Sequence, residues 1–133
     1  MTNEELISMA AAVINTRRNG DFIIGDVGCA LETEDGNLHL GVCIDTSSSL
    51  GFCAEANAIG AMTTAGEARI RRIVAVWKGE DGATKVLPPC GRCREFIRQI
   101  HPGNLDTEVL LSAAKPVPLR ELLPHHDWIA EVE

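Results

Sequence analysis

The chain has 133 residues, 45% of them hydrophobic, which is enough for one domain with a substantial core. Its 12 basic and 19 acidic residues leave a formal net charge of -7, and such a surface would repel a polynucleotide. The sequence has no run of about 20 apolar residues that could span a membrane. We therefore expect a single domain over residues 1–133 with neither a nucleic acid polymer nor a membrane as its partner.

The first predicted element is an amphipathic helix. Its apolar residues recur at the spacing of one helical face: Leu6, Met9, Ala10, Val13 and Ile14. Thr2, with Glu5 three residues later, suits a capping box at its start, and Gly20, after two arginines, should stop it.

The first residues lack the basic-then-apolar layout of a signal peptide, and five cysteines fit a reducing compartment, so we expect a cytoplasmic protein.

A hairpin is predicted next. Two strands, at about Val27 to Thr33 and Leu38 to Asp45, are joined through an Asp-Gly pair, which is a strong turn signal. By the two-residue period of a strand, the second one has a face with Leu38, Leu40, Val42 and Ile44, and an opposite face with His39, Cys43 and Asp45.

The remaining pattern predicts alternating helices and strands. In chain order these are a helix over 54–64 ended by Gly66, a continuous apolar strand over 70–77, a helix from Cys90 to the break at Pro102, a strand over 107–112 and a short helix over 119–123. The apolar strand is typical of the centre of a sheet covered on both faces. This order predicts an α/β fold, a three-layer α/β/α sandwich around a mixed sheet.

Two motifs offer three thiols to a single metal ion: Cys53-Ala54-Glu55 and Pro89-Cys90-Gly91-Arg92-Cys93. Zinc accepts thiolate ligands in a tetrahedral shell, and three protein ligands leave its fourth position open for water. Glu55 could stand beside that water without binding the metal and carry protons between water and substrate. We therefore predict one catalytic Zn²⁺ per chain, bound by Cys53, Cys90 and Cys93, with Glu55 as the catalytic residue.

Two other classes of protein use the same cysteines. A non-enzymatic structural zinc-binding domain would need them for folding alone, and Glu55 would then be dispensable. A redox protein would keep Cys90 and Cys93 free of metal and form a disulfide in air. Zinc content, measured together with reduced thiols, separates the three readings.

The paired motifs resemble those of zinc-dependent cytidine deaminases of the small homotetrameric type, and especially of blasticidin S deaminases. The resemblance runs from Val27-Gly28 through both motifs to His101-Pro102-Gly103 and Glu121-Leu122-Leu123-Pro124. It implies a cytidine deaminase-like fold, a homotetramer, and a hydrolase acting on an amidine C–N bond. The substrate would be a free cytosine nucleoside or related aminopyrimidine, with blasticidin S or another modified cytosine nucleoside as the alternative.

The resemblance also implies a role for each residue of the centre. Glu55 would pass a proton from the water to the ring nitrogen beside C4, and a second one to the departing amine, which leaves as ammonia. Three thiolates leave a bound zinc with a net charge of -1, which the positive ends of the helices at Cys53 and Cys90 would offset. Since Ala56 replaces the family's arginine after the catalytic Glu, we predict Arg92 as its charge-tuning substitute, and a solvated surface charge is the alternative for Arg92. The backbone N–H groups of Ala54 and Cys90 are candidates for holding the base edge.

The predicted substrate pocket departs from that of the resembled family. There an Asn and a Glu on the second strand bind the sugar hydroxyls, and the matching positions here hold Cys43 and Asp45. The family's Phe and Pro ahead of the first strand would fall at Gly25 and Asp26. Plain cytidine should therefore be a poor substrate. We expect Cys29 to be an ordinary buried residue.

Near the C-terminus, Trp128 lies where the family places an aromatic residue that helps to close a pocket, in its own or a neighbouring subunit. A simple packing anchor is the alternative for Trp128. We expect His101, His125 and His126 to make surface or subunit contacts and not to bind the metal.

Overall fold

The computed structural model describes residues 1–132. Helix α1, Asn3–Val13, has the predicted capping box: the Thr2 hydroxyl accepts a hydrogen bond from the Glu5 N–H, and the Glu5 carboxylate accepts one from the Thr2 N–H. Leu6 and Ala10 are buried, but Met9, predicted on the same face, is 40% exposed. Met9 lies at the edge of the narrow face that α1 buries, so the helix buries fewer side chains than its sequence pattern suggests.

The other helices are α2 (Ala54–Thr64), α3 (Gly91–Ile100) and α4 (Leu119–Leu122), with a 3-10 turn over Pro102–Asp106. The strands are β1 (Arg17–Asn19), β2 (Phe22–Ile24), β3 (Val27–Thr33), β4 (Leu38–Val42), β5 (Ile70–Lys78), β6 (Thr84–Leu87), β7 (Glu108–Leu110) and β8 (Pro116–Pro118). The bounds of β3 and α2 coincide with those predicted.

The main sheet has six strands in the order β4-β3-β5-β7-β8, with β6 paired to β5. Strand β3 is antiparallel to both β4 and β5, whereas β5 runs parallel to β7. The sheet is therefore mixed, as predicted, and β5 is its central strand.

Helices cover both faces of this sheet. On one face, α1 packs through Leu6 and Ala10 against β-strand residues that include Val74 and Leu110. On the other face, α2 and α3 bury Ala58, Ile59, Met62 and Ile97 against Cys29, Leu31 and Ile73. The three-layer α/β/α prediction is confirmed.

Strand β4 is shorter than predicted, because it ends at Val42 and not at Asp45. In the β3–β4 register Val42 pairs with Gly28, and β3 begins only one residue earlier, at Val27. Beyond Cys43 the chain has no β3 partner, and Ile44 pairs with Phe52 instead. The alternation of faces predicted up to Asp45 therefore stops at the edge of the sheet.

Four short strands were not predicted. Strands β1 and β2 form a separate hairpin where the sequence indicated only the end of α1, and β6 and β8 extend the main sheet. Each has three or four residues, too few to show a period of two.

All five cysteines are free thiols, and Cys29 is fully buried as predicted.

Within residues 1–132, no helix combines the length and apolar character that crossing a bilayer requires. The cytoplasmic location stays a prediction.

Candidate metal centre and substrate cavity

The starts of two helices bring the three thiols together. Cys53 is the N-cap of α2, Cys90 is the N-cap of α3, and Cys93 lies in the first turn of α3. Because both helices pack on the same face of the sheet, their N-terminal ends meet at one place. The three sulfur atoms lie within 4.8 Å of one another, and Cys53 Sγ is 3.4 Å from Cys90 Sγ.

This spacing suits a zinc ion. With Zn–S bonds of about 2.3 Å and tetrahedral angles, sulfur ligands lie about 3.8 Å apart. The separation of 3.4 Å between Cys53 and Cys90 is close to that value, the other two are at most 4.8 Å, and no fourth Cys or His side chain joins the group among residues 1–132. The donor set therefore fits one zinc with an open fourth position.

The three thiols differ in their electrostatic surroundings. Burial raises the pKa of Cys53, and the neighbouring Cys90 thiol raises it further. Burial and the Glu55 carboxylate raise the pKa of Cys93. Burial also acts to raise the pKa of Cys90, but hydrogen bonds from the Cys93 backbone N–H and the other two thiols outweigh it, so this pKa is lowered. Cys90 is thus the thiol that ionises most readily before metal binds.

Glu55 lies in the first turn of α2, two residues after Cys53, and is only 6% exposed. Burial raises the pKa of its carboxyl group. A raised pKa makes the carboxylate a stronger base, which favours its role in accepting a proton from water.

A cavity of about 370 Å³ opens beside this group. It brings together most of the predicted site residues: Cys43, Asp45, Cys53, Ala54, Glu55, Cys90 and Arg92. Cys93 is fully buried behind the other two thiols. The metal centre and the predicted substrate residues thus share one space, although they come from the segment after β4 and from the starts of α2 and α3.

Arg92 lies at the rim of the cavity. One of its guanidinium nitrogens donates a hydrogen bond to the carbonyl oxygen of Gly51 at 3.3 Å, and the guanidinium carbon lies 5.3 Å from the centre of the Phe52 ring. Its side chain is thus engaged with the loop before Cys53. The charge-tuning role stays a prediction.

Trp128 does not line the cavity of its own chain. Its indole lies 5.0 Å from the guanidinium carbon of Arg98 on α3, and the residue is 69% exposed. Any contact with substrate would therefore require the cavity of a neighbouring subunit, so this role stays a prediction as well.

Sequence reasoning missed part of the cavity wall. Phe52 and Leu87 line it, and Leu87 ends the unpredicted strand β6. The only signal for β6 was a short β-prone stretch after the turn at Gly82. Asp26 was also missed as a contact: its carboxylate accepts a hydrogen bond from the Cys43 thiol at 3.1 Å.

The structure explains why Gly25 holds no aromatic side chain. Gly25 has a φ of +79°, and a Cβ there would lie 2.2 Å from the side-chain oxygen of Asn15. The residue closes the β1–β2 hairpin, since the Asn15 N–H donates to its carbonyl oxygen. A Phe at this position would require the hairpin to move.

Comparison with known proteins agrees with this geometry. The profile of the cytidine and deoxycytidylate deaminase zinc-binding region matches residues 1–107. A cytidine deaminase of Mycobacterium tuberculosis is 34% identical over 100 residues, 74% of this chain and 69% of that protein. A blasticidin-S deaminase of Bacillus cereus is 37% identical over 103 residues, 74% of each chain.

Solved structures agree as well. The crystal structure of cytidine deaminase from Mycobacterium leprae superimposes with a TM-score of 0.73 at 27% identity, over 92% of this chain and 97% of that one. Fold and thiol cluster together define a zinc-binding deaminase with a three-layer α/β/α sandwich. The chain belongs to the family of cytidine and deoxycytidylate deaminases.

Proposed function

We propose that the protein is a zinc-dependent hydrolytic deaminase of free cytosine nucleosides, which converts the C4 amine to a carbonyl and releases ammonia. The observation that carries this proposal is the convergence of Cys53, Cys90 and Cys93 at a cavity that the buried Glu55 also lines. A structural zinc site has no need of a cavity or of a buried carboxyl group next to the metal.

The roles of the residues follow from their positions. Cys53, Cys90 and Cys93 hold one zinc, which when bound acidifies a water molecule in its open position. Glu55 accepts a proton from the attacking water and delivers it to the ring nitrogen beside C4. It then delivers a proton to the departing amine, so ammonia leaves as a neutral molecule.

The cavity matches a small ligand. A volume of about 370 Å³ lies in the range usual for such sites, and Val27, Phe52 and Leu87 supply apolar wall for a pyrimidine ring. The backbone N–H groups of Ala54 and Cys90, at the starts of α2 and α3, are our candidates for binding the base edge. The charge of -7 argues against a polynucleotide in this space.

The sugar side of the cavity differs from that of the resembled family. Cys43 and Asp45 line the cavity where the resembled family has an Asn and a Glu. A thiol is a weak hydrogen-bond donor, and Asp reaches less far than Glu. Plain cytidine should therefore bind weakly, and blasticidin S or another modified cytosine nucleoside is the alternative substrate.

We further propose that residues 1–133 act as one catalytic domain in the cytoplasm, and that the protein assembles as a homotetramer. Trp128, exposed and away from its own cavity, would then help to close the cavity of a neighbour. An open cavity in so small a chain supports such an assembly. Light scattering of the purified protein measures the assembly directly.

The decisive experiment is an ammonia-release screen of purified, zinc-loaded protein. The substrates are cytidine, deoxycytidine, cytosine, their modified forms and blasticidin S. Zinc content and reduced thiols are measured on the same sample. Zinc at one per chain without ammonia from any cytosine compound would favour the structural-zinc reading, and a metal-free disulfide would favour the redox reading.

A further inference from the structure

The Cys43 thiol lies between two carboxylates, of which Asp45 lines the sugar side of the cavity and Asp26 does not line it. Its sulfur is 3.1 Å from a carboxylate oxygen of Asp26 and 3.7 Å from one of Asp45. The donor atoms of the three residues lie within 4.8 Å of one another. Cys43 is only 4% exposed, whereas Asp45 lies on the open cavity wall.

This thiol cannot satisfy both carboxylates. Burial and the Asp26 carboxylate raise the pKa of Cys43 to about 11, so it carries one proton at neutral pH and can donate it to one oxygen at a time. Neither Asp26 nor Asp45 forms an ion pair within residues 1–132. Asp45 on the cavity wall and Asp26 beside Cys43 therefore have no positive partner from the described chain.

The rest of the cavity does not balance these groups. Glu55 adds another carboxyl group, and a zinc ion held by three thiolates would add a net charge of -1. Arg92 is the cation that lines the cavity, and its guanidinium is engaged with the Gly51 carbonyl and the Phe52 ring. The potential in the cavity therefore favours a cationic ligand and opposes an anionic one.

We propose that Asp45, supported by Asp26, selects cytosine nucleosides whose sugar moiety carries a protonated amine. The base must lie beside Glu55 and the thiols for C4 to react, so the wall at Asp45 is left for the sugar. An ammonium group has three N–H donors and no acceptor, so it can donate to the Asp45 carboxylate, while the negative charge of the nearby Asp26 adds to the attraction. This inference rests on the proposed function and names the substrate class of the same cavity.

The same wall should reject a phosphate. The family includes enzymes of both cytidine and deoxycytidylate, and the two substrates differ by a charged group on the sugar. A phosphate placed near Asp45 would face like charge in a partly enclosed space. The expected order is therefore amine over hydroxyl over phosphate.

The test is a charge series at one position of the sugar. Zinc-loaded protein is assayed with 5′-amino-5′-deoxycytidine, cytidine and cytidine 5′-phosphate, and with the corresponding 3′ series. We expect kcat/KM to favour the amine over the hydroxyl by roughly tenfold in at least one series. Dissociation constants for the zinc-loaded Glu55→Gln variant, measured by calorimetry, should show the same order without turnover.

Three variants test whether the preference for the amine over the hydroxyl depends on Asp45 and Asp26. Asp45→Asn keeps the shape but removes the charge, so the ratio of amine to hydroxyl should fall towards one, and Asp26→Asn should lower it partly. Asp35→Asn removes the same charge in the β3–β4 turn, at the opposite end of the hairpin from Cys43, and should leave the ratio unchanged.

The outcomes separate this inference from the proposed function. Ammonia release from cytidine, without any preference for the amines or with one that survives in Asp45→Asn, overturns the inference and leaves the deaminase in place. No ammonia from any nucleoside overturns the proposed function. In that case the dissociation constants decide. Equal affinity for the amine, hydroxyl and phosphate compounds also overturns the inference. The expected order of affinities in the wild type, lost in Asp45→Asn, upholds the charge selection.

Discussion

Gly41 of β4 lies directly against the backbone of Ala58 in α2. A Cβ at Gly41 would be 2.4 Å from the Ala58 nitrogen and 2.7 Å from the carbonyl oxygen of Ala54. Asn57 reinforces the contact, since its side-chain amide donates a hydrogen bond of 2.6 Å to the Val42 carbonyl oxygen. This backbone-to-backbone approach positions the first turn of α2, which carries Glu55.

Gly41→Ala should therefore push α2 away from the sheet. We expect a loss of roughly 1–3 kcal/mol in the free energy of unfolding, the usual cost of overpacking, together with weaker zinc binding. Gly60→Ala is the matched control, because a Cβ there meets nothing within 4 Å and Ala is the better helix former. Urea unfolding of both variants measures the difference, and equal stability would contradict the close approach.

Removing one thiol should remove the metal. Cys90→Ala leaves two sulfur ligands, and we expect most of the zinc to be lost and the fold to be less stable, because ligand binding and folding are coupled. Cys29→Ala, which changes a buried cysteine outside the cluster, should retain one zinc per chain. Elemental analysis decides, and full zinc occupancy in Cys90→Ala would exclude the ligand assignment.

Replacing Glu55 should separate chemistry from binding. Glu55→Gln keeps the size of the side chain but cannot carry protons, so turnover should fall at least about a hundredfold while zinc and fold remain. Glu67→Gln, just beyond the end of α2 where the carboxylate pairs with His39, should retain its turnover. Near-normal turnover of Glu55→Gln would show that Glu55 is not the proton carrier.

Asn104 should be a residue of stability and not of catalysis. It is fully buried; its amide donates to the carbonyl oxygens of Ala68 and Ile97, and its oxygen accepts from the Ile70 N–H. Asn104→Ala leaves these backbone groups unpaired, so we expect the free energy of unfolding to fall by about 2–4 kcal/mol. Asn19→Ala, in the exposed strand β1, should change little. A stable Asn104→Ala protein would show that water replaces the amide.

The alkylation rates of the five cysteines should follow their exposure and the pKa of each thiol. In chelated protein near neutral pH, Cys90 should react first, because it is exposed and its lowered pKa leaves more thiolate at a given pH. Cys29 and Cys43 should react last, since burial raises the pKa of both. Zinc should protect Cys53, Cys90 and Cys93 together. Peptide mass spectrometry after timed iodoacetamide treatment gives the order, and protection of Cys90 alone would contradict a shared ion.

Much of the metal centre could be predicted from local signals. The two cysteine motifs each precede a helical pattern, and because a helix start is encoded within a few residues, Cys53 and Cys90 could be placed at N-caps without knowledge of the sheet. The long apolar stretch of β5 likewise marked the central strand. Residue chemistry and local periodicity were sufficient for these predictions.

The substrate wall depended on contacts between distant parts of the chain. Asp26 meets Cys43 only because Val27 and Cys43 are joined by a backbone hydrogen bond at the edge of the β3–β4 pair, and Leu87 reaches the cavity only through pairing of β6 with β5. Short strands carry no period of their own, so their pairing is decided by the rest of the sheet. The sequence by itself determined the layered fold and the candidate metal centre with Glu55 beside it, whereas the charge of the cavity wall and the distance of Trp128 from it were decided by tertiary packing, since they depend on contacts between distant parts of the chain.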